Sequence, residues 1–462
     1  MNTVRSSVLA LLFLVLACPT VLIQVYCTPP IQVADEENHF LRALQVADGH
    51  LFGRKIEGND AGGMLDPAAP IFAHNFDALK FAPERKLDND TSEAAAALRW
   101  EEAPVAPAAF PNTAIYPFFL YLPASVGLAV GRALQLSVLD SFYMGRLATA
   151  LTAVAVASLA LAVCGRGRTL LFVILCFPMT LSLFASVSQD AMSIALGTFA
   201  AAAWSGYVSR GAAMPAAVRA VVALALGAVA AARIPLMPLY VLALLPTRPS
   251  MSGRFRPRLV DVAAAAAGLV PVAVGIYGAH AAKVPFRAGD GVSPIGQLRW
   301  MAVHPLEALT VAARTLGIDT LRHLRELVGV LGWLDTDLPT GFYAWIGFCV
   351  VAAMLIDAAS GGRGIAGLQR FVPAAAVLIS SAGVFGAFYL AWTPVGAPIV
   401  EGVQGRYFIL PAITLAVSLP GFARTGERTG TSLAWMQLAL CGAVALTDLW
   451  VVPITLIHRY YG

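Results

Sequence analysis

Long apolar runs free of charge recur along this chain, divided by short basic loops and by one long polar segment. The first is "MNTVRSSVLALLFLVLACPTVLIQVYC", ending at Cys27. Others lie at about 113–136, 143–164, 168–187, 191–208, 217–233, 235–247, 259–279, 341–358, 371–391, 406–421 and 432–452. A membrane-spanning helix needs about 20 such residues, so the pattern predicts an all-α polytopic membrane protein, a single integral membrane domain of about 11 or 12 helices. Val15-Leu16-Ala17-Cys18 resembles a lipoprotein cleavage box, but the run continues to Cys27, too long for a signal core. We read it as a first transmembrane helix, with Arg5 holding its start inside. The run at 113–136 contains Pro117, Pro123, Gly127 and Arg132, and it reads as either a re-entrant helix or a full span.

The polar segment behind the first run carries the local signals. Residues 35–102 hold 14 of the 27 acids against seven basic residues. Within it, "DEENHFLRALQVADG" predicts a short helix with acids at its start and Gly49 at its end. "EGNDAGGMLDPAAP" predicts a loop, and "RKLDNDTSEAAAALRWEEAP" a second short helix starting near Thr91 or Ser92. No fixed-period repeat is present.

Composition agrees with the pattern. Apolar residues make up 58% and charged residues 13%, about half the charge of a soluble domain. The net charge of +4 is spread over short loops, so it signals topology and not nucleic-acid binding. The six cysteines are scattered without C-x-x-C spacing, which argues against a disulfide framework and against a zinc site.

Basic loops set the orientation. Arg166 and Arg168, Arg210 and Arg219, Arg248 to Arg258, Arg363 and Arg370, and Arg424 and Arg428 fall to one side, expected to be cytoplasmic along with the N-terminus. The opposite side then takes residues 28–112 as a first extracytoplasmic loop with short helices and 280–340 as a second large one. It also gathers all seven histidines, "SVSQD" at Ser186–Asp190, "LGWLDTDLP" at Leu331–Pro339 and "EGVQGRYF" at Glu401–Phe408.

Each polar residue here has a structural and a functional reading. Asp35 caps the helix that follows, with Glu36 and Glu37 complementing its dipole, or it acts as a base. His39, four residues on, is an ordinary surface or interfacial histidine, or it orients or protonates Asp35 or binds a metal beside it. Asp190 caps the helix at 191–208 or faces a cavity, because an acid at the membrane rim is costly without a partner. Arg406 snorkels, or it forks a phosphate, with Gly402 and Gly405 letting backbone N–H groups approach. "LGWLDTDLP" is a turn capped by Asp335 or Asp337 with Trp333 anchored at the interface, or part of the same site.

At these residues a resemblance enters. "PPIQVADEENHFLRA", "FPMTLSLFASVSQD", "LGWLDTDLP" and "EGVQGRYF" together resemble a bacterial polytopic family catalogued as domain of unknown function 2142. That family is similar to the GT-C glycosyltransferases: protein mannosyltransferases, oligosaccharyltransferases and the enzyme placing aminoarabinose on lipid A. The similarity implies an acid pair just after the first helix, matched by Asp35-Glu36, and an acid in the second outer loop, matched by Asp190. "YPFFLYLPASVGLAVGRALQLSVLDSFYMGRL", ending at Arg146-Leu147, is similar to their Pro-containing stretch and Arg-Leu helix start. No large soluble C-terminal domain is expected, which leaves the acceptor open.

The expectation is therefore a membrane glycosyltransferase of a bacterial cytoplasmic membrane, acting at its outer face. It would move a sugar from a polyprenyl-phosphate donor to an envelope polysaccharide, lipid or protein. Asp35, Glu36 and Asp190 are the catalytic candidates. His39, Arg42, Lys283, Arg287, Trp333, Gln404, Arg406 and Tyr407 are the substrate-binding candidates. A divalent metal, if one is used, would sit on Asp35 and Asp190. The competing readings are a lipid or polysaccharide transporter, whose charges should lie deep in the helices, and a non-catalytic membrane subunit.

Overall fold

The computed structural model describes residues 4–56, 60–101, 104–248, 258–284, 290–360, 367–418 and 427–462. The chain is a bundle of membrane-length helices carrying a polar layer at one end. It opens with α1 (Ser6–Cys27) and then lays down the polar layer. That layer contains α2 (Glu36–Ala47), strands β1 (Arg54–Ile56) and β2 (Asp60–Leu65), helices α3 (Ala68–His74) and α4 (Asn89–Ala97), and strand β3 (Ala106–Ala109). The three strands form an antiparallel sheet in the order β1-β2-β3, with Gly62 opposite Ala109 and Leu65 opposite Ala106. This sheet was not foreseen, because three to six residues around glycines give little alternation to read. The expected short helices are α2 and α4. Asp88 caps α4 through Thr91 N–H, slightly earlier than expected.

The chain re-enters the bundle through α5 (Pro111–Ala114), a 3-10 turn at Phe118–Leu120 and α6 (Leu122–Ala133). At 12 residues α6 is about 18 Å long, too short to cross the bilayer's apolar core of about 30 Å. It packs on α7 (Val138–Val163) through small residues: a Cβ on Gly127 would collide with the backbone of Met144.

Among the described residues seven helical segments are long and apolar enough to span: Ser6–Cys27, Val138–Val163, Gln189–Arg210, Leu259–Ala282, Thr340–Ala359, Gly367–Ala391 and Thr431–Tyr460. The other expected runs are shorter or broken. Residues 168–187 divide into α8 (Arg168–Leu175) and α9 (Pro178–Phe184), because Pro178 cannot continue the ladder. After α10 (Gln189–Arg210) comes α11 (Ala216–Ala232), with 17 residues. Pro235 and Pro238 then force a 3-10 stretch at Ile234–Tyr240 before α12 (Val241–Leu244). Helices α13 (Leu259–Ala266) and α14 (Leu269–Ala282) follow, and then α15 (Pro294–Val303) and α16 (Pro305–Gly329). The two-residue strands β4 (Val330–Leu331) and β5 (Thr336–Asp337) pair across the Gly332–Asp335 turn. Helices α17 (Thr340–Ala359) and α18 (Gly367–Ala391) lead to a 3-10 turn at Gly405–Phe408, α19 (Ile409–Ser418) and α20 (Glu427–Tyr460). The basic loops around 254, 363 and 424 lie outside the described residues.

Candidate functional site

Asp35 stands at the N-cap position of α2, but it makes no capping hydrogen bond. Its backbone is left-handed, with φ 65°, a conformation that Asp tolerates better than most residues. The carboxylate instead turns to Arg406, in the 3-10 turn that begins α19's approach. Asp35 is therefore no helix cap. Its neighbour Glu36 points elsewhere. The Glu36 carboxylate takes Arg146 Nε at 2.9 Å and Nη2 at 2.6 Å, and it also accepts Val187 N–H at 3.1 Å. Both partners of that pair are fully buried. Arg146 further donates to the carbonyls of Val25, Thr28 and Pro29, closing the end of α1 onto α7. The two adjacent acids thus serve separate arginines, and only Asp35 is partly exposed, Glu36 being fully buried.

Asp190 lies in the first turn of α10, behind the true cap Ser188, whose hydroxyl accepts Asp190 N–H at 3.1 Å. Its carboxylate is held by Arg233 Nη2 at 2.7 and 2.8 Å and by Gln189 Nε2 at 2.8 Å. Arg406 Nη1 approaches the same carboxylate at 3.9 Å and donates to Ala34 O at 3.1 Å. Arg406 therefore stands between Asp35 and Asp190. Tyr407 lies under both cations, 4.3 Å from Arg233 Cζ and 5.5 Å from Arg406 Cζ, and stacks on Phe388. A small cavity opens here, lined by Asp190, Ser193, Ile194, Arg233, Leu236, Arg406, Tyr407 and Leu410.

The chemistry of this cluster is two carboxylates matched by two guanidiniums. Arg406 is almost wholly buried, at 2% side-chain exposure, whereas Asp35 keeps 33%. A buried arginine with this exposed a partner is not snorkelling to bulk water. A metal does not fit the arrangement as it stands. A guanidinium occupies the space between Asp35 and Asp190, and no group of three His, Cys, Asp or Glu side chains gathers among the described residues.

Gly405 does not offer its N–H to a ligand, as the sequence had suggested. That N–H goes to Glu326 Oε2 at 2.7 Å, and a Cβ at Gly405 would run into the backbone of His323 on α16. Gly402 adopts φ 80° against Trp392.

The remaining candidates divide. His39 is buried and shares a 2.7 Å hydrogen bond with the Tyr121 hydroxyl, while stacking on Tyr116. Burial pulls its pKa down to about 4, against the opposing pull of Asp190 and Asp35. It is thus a neutral wall of the cluster. Arg42 is buried and donates to Gln45 Oε1 at 2.5 Å, Leu51 O at 2.6 Å and Tyr116 O at 3.1 Å. Burial lowers its pKa to about 10, and its hydrogen bonds brace the loop behind α2. Trp333 donates Nε1–H to Ile31 O at 2.9 Å and receives Lys80 over its ring, so it pins the strap that leads into Asp35. Asp335, in the same turn, accepts from Trp333 N–H at 3.2 Å and Arg459 Nη2 at 3.0 Å. Gln404 leaves Oε1 buried without a partner beside the Arg406 turn. Lys283 is exposed behind the end of α14, and Arg287 lies outside the described residues.

Sequence reasoning gave no role to Arg233, Tyr116 or Tyr121. The available signal was a lone arginine between two apolar runs, on the side that also carries Asp190.

No curated protein and no solved structure matches the chain significantly. One family model does, over residues 18–416, and its span takes in Asp35, Asp190, Arg233 and Arg406 together. With its apolar helices and that match, the chain belongs to the family described as predicted membrane protein (DUF2142).

Proposed function

We propose that the protein is a membrane glycosyltransferase that takes a sugar from a polyprenyl-phosphate donor and passes it to a hydroxyl acceptor. The observation that carries this reading is the Asp35–Arg406–Asp190–Arg233 cluster, in which Asp190, Arg233 and Arg406 line a small cavity and Asp35 pairs with Arg406. It combines what such a transfer needs: a carboxylate open enough to reach an acceptor, and two fixed cations for a departing phosphate.

In the proposed step the donor phosphate draws the Arg406 and Arg233 guanidiniums, and Asp35 is released to the acceptor hydroxyl. The acceptor oxygen bonds to the anomeric carbon while the carbon–oxygen bond to phosphate breaks. The electron pair leaves with polyprenyl phosphate, and the acceptor proton passes to Asp35. Asp190 holds Arg233 in place and orients Arg406. No metal enters this step.

The test uses purified full-length protein in lipid, given a panel of polyprenyl-phosphate sugars with an envelope extract as acceptor. Mass spectrometry then reads the polyprenyl phosphate released. Release that depends on the acceptor and is lost in Asp35→Asn supports the reading. An absence of release and of donor binding across the panel rejects it.

A further inference from the structure

Helix α16 is 25 residues long and amphipathic, and it presents one apolar face that no other part of the described protein covers. Leu306, Leu309, Leu316, Leu321 and Leu324 fall within an arc of about 140° on that face. All are exposed, Leu306 at 77% and Leu309 and Leu321 at 70%. The opposite face grips the protein. Thr315 Oγ1 accepts Val400 N–H at 3.0 Å, and Glu326 Oε2 accepts Gly405 N–H at 2.7 Å.

These contacts place the helix. They fall on the connection between α18 and α19, while Val311 and His323 meet the last two turns of α18 and the end of α16 packs on α9. Trp300 of the preceding α15 meets Tyr389, near the last turn of α18, with ring centroids 6.4 Å apart. The helix also carries Glu307, Arg314, Asp319, Arg322, Arg325 and Glu326, too many charges for the hydrocarbon core. It does not span, and a leucine stripe of this length is costly in water.

We propose that α16 lies in the plane of the membrane leaflet on the site's side, its leucine stripe seated at the boundary between headgroups and acyl chains. The partner is a phospholipid surface. Arg314 on α16 and Arg299 on the preceding α15 are exposed and suit headgroup phosphates, and α17 enters the membrane directly behind the β4–β5 hairpin. The seat does not depend on the proposed reaction. It adds to that reaction a fixed height for Arg406, because the polar face of α16 holds the Gly405 N–H next to it.

The test is nitroxide accessibility in the full chain, in nanodiscs of phosphatidylethanolamine and phosphatidylglycerol. Cys18 and Cys27 are replaced by alanine and the four buried cysteines are kept. Single labels go at Leu309→Cys, Leu316→Cys and Glu307→Cys, all exposed positions where folding is little perturbed. The lipid seat predicts that oxygen reaches labels 309 and 316 more readily than a water-soluble nickel chelate does, with the order reversed at 307. Nickel access at 309 and 316 equal to that at 307 would overturn it. So would exclusion of both reagents with spin–spin broadening, which would mean that a second copy covers the stripe. Activity is not read, so failure here is separate from failure of the transferase reading.

Discussion

Asp35 and Arg406 lie 371 positions apart and form an ion pair in which the acid is partly open and the guanidinium is almost fully buried. The pair joins the start of the first polar segment to the 3-10 turn before α19. Asp35 does not cap its helix, so its charge can be removed without loosening α2. Asn tolerates the left-handed backbone as Asp does. Asp35→Asn is expected to accumulate normally and to lose at least about a hundredfold in transfer rate. Full transfer activity in a well-folded Asn variant would remove Asp35 from the mechanism.

Arg406→Lys keeps the charge but gives up the planar fork between Asp35 and Asp190. Donor saturation curves for wild type, Arg406→Lys and Arg406→Ala should separate in that order, with protein levels unchanged. Superimposable arginine and lysine curves would leave Arg406 a structural cation, and the phosphate would have to be met by Arg233.

Glu36 should behave oppositely to its neighbour. Glu36→Gln leaves Arg146 buried without its counter-charge, and breaking such a pair costs about 3–5 kcal/mol. Thermal unfolding in detergent should show a larger drop for Glu36→Gln than for Asp35→Asn, because Asp190 remains 3.9 Å from Arg406 when the Asp35 charge is lost. Equal melting temperatures for the two variants would contradict the division of labour between these adjacent acids.

His39 supplies a pH signature. Burial holds its folded pKa at about 4, with Asp190 and Asp35 on one side of the balance and Arg406 and Arg233 on the other. The unfolded chain takes up that proton near pH 6.5, and the folded protein does not until about 4. Stability is therefore full above 6.5 and falls as pH drops through that window, on the order of 3 kcal/mol in all. Chemical unfolding of His39→Gln should show a shallower slope than wild type between pH 6.5 and 4. Parallel slopes would mean that His39 is not the group responsible.

Asp448 is fully buried in α20, and neither carboxylate oxygen has a hydrogen-bond partner. A lone acid in such a place destabilises the fold. Asp448→Asn is expected to melt no lower than wild type and to keep transfer activity. Loss of activity with an intact fold would make it part of the mechanism and revive the transporter reading.

Orientation is open to direct measurement. With Glu93→Cys expected outside and Ala213→Cys inside, an impermeant thiol reagent on intact cells should label only the first. The reverse pattern would put the Asp35 cluster on the cytoplasmic face and exclude an outer-face donor.

Hydropathy alone determined that this is a polytopic helical membrane protein, because burying apolar residues in lipid is a property of each run by itself. Local signals also located α2, with acids at its start and Gly49 behind it, and α4. Asp35, Asp190 and Arg406 stood out as polar residues beside apolar runs. What they do to one another was not legible. The left-handed turn at Asp35, the diversion of Glu36 to Arg146 and the recruitment of Arg233 all rest on partners far away in the chain. The breaks at Pro178 and at Pro235 and Pro238 turned expected spans into paired short helices, which bring the ends of α10, α11 and α19 to one cavity. Charge pairing is decided by which arginine the folded bundle brings within reach, and the order of residues along the chain carries no trace of that.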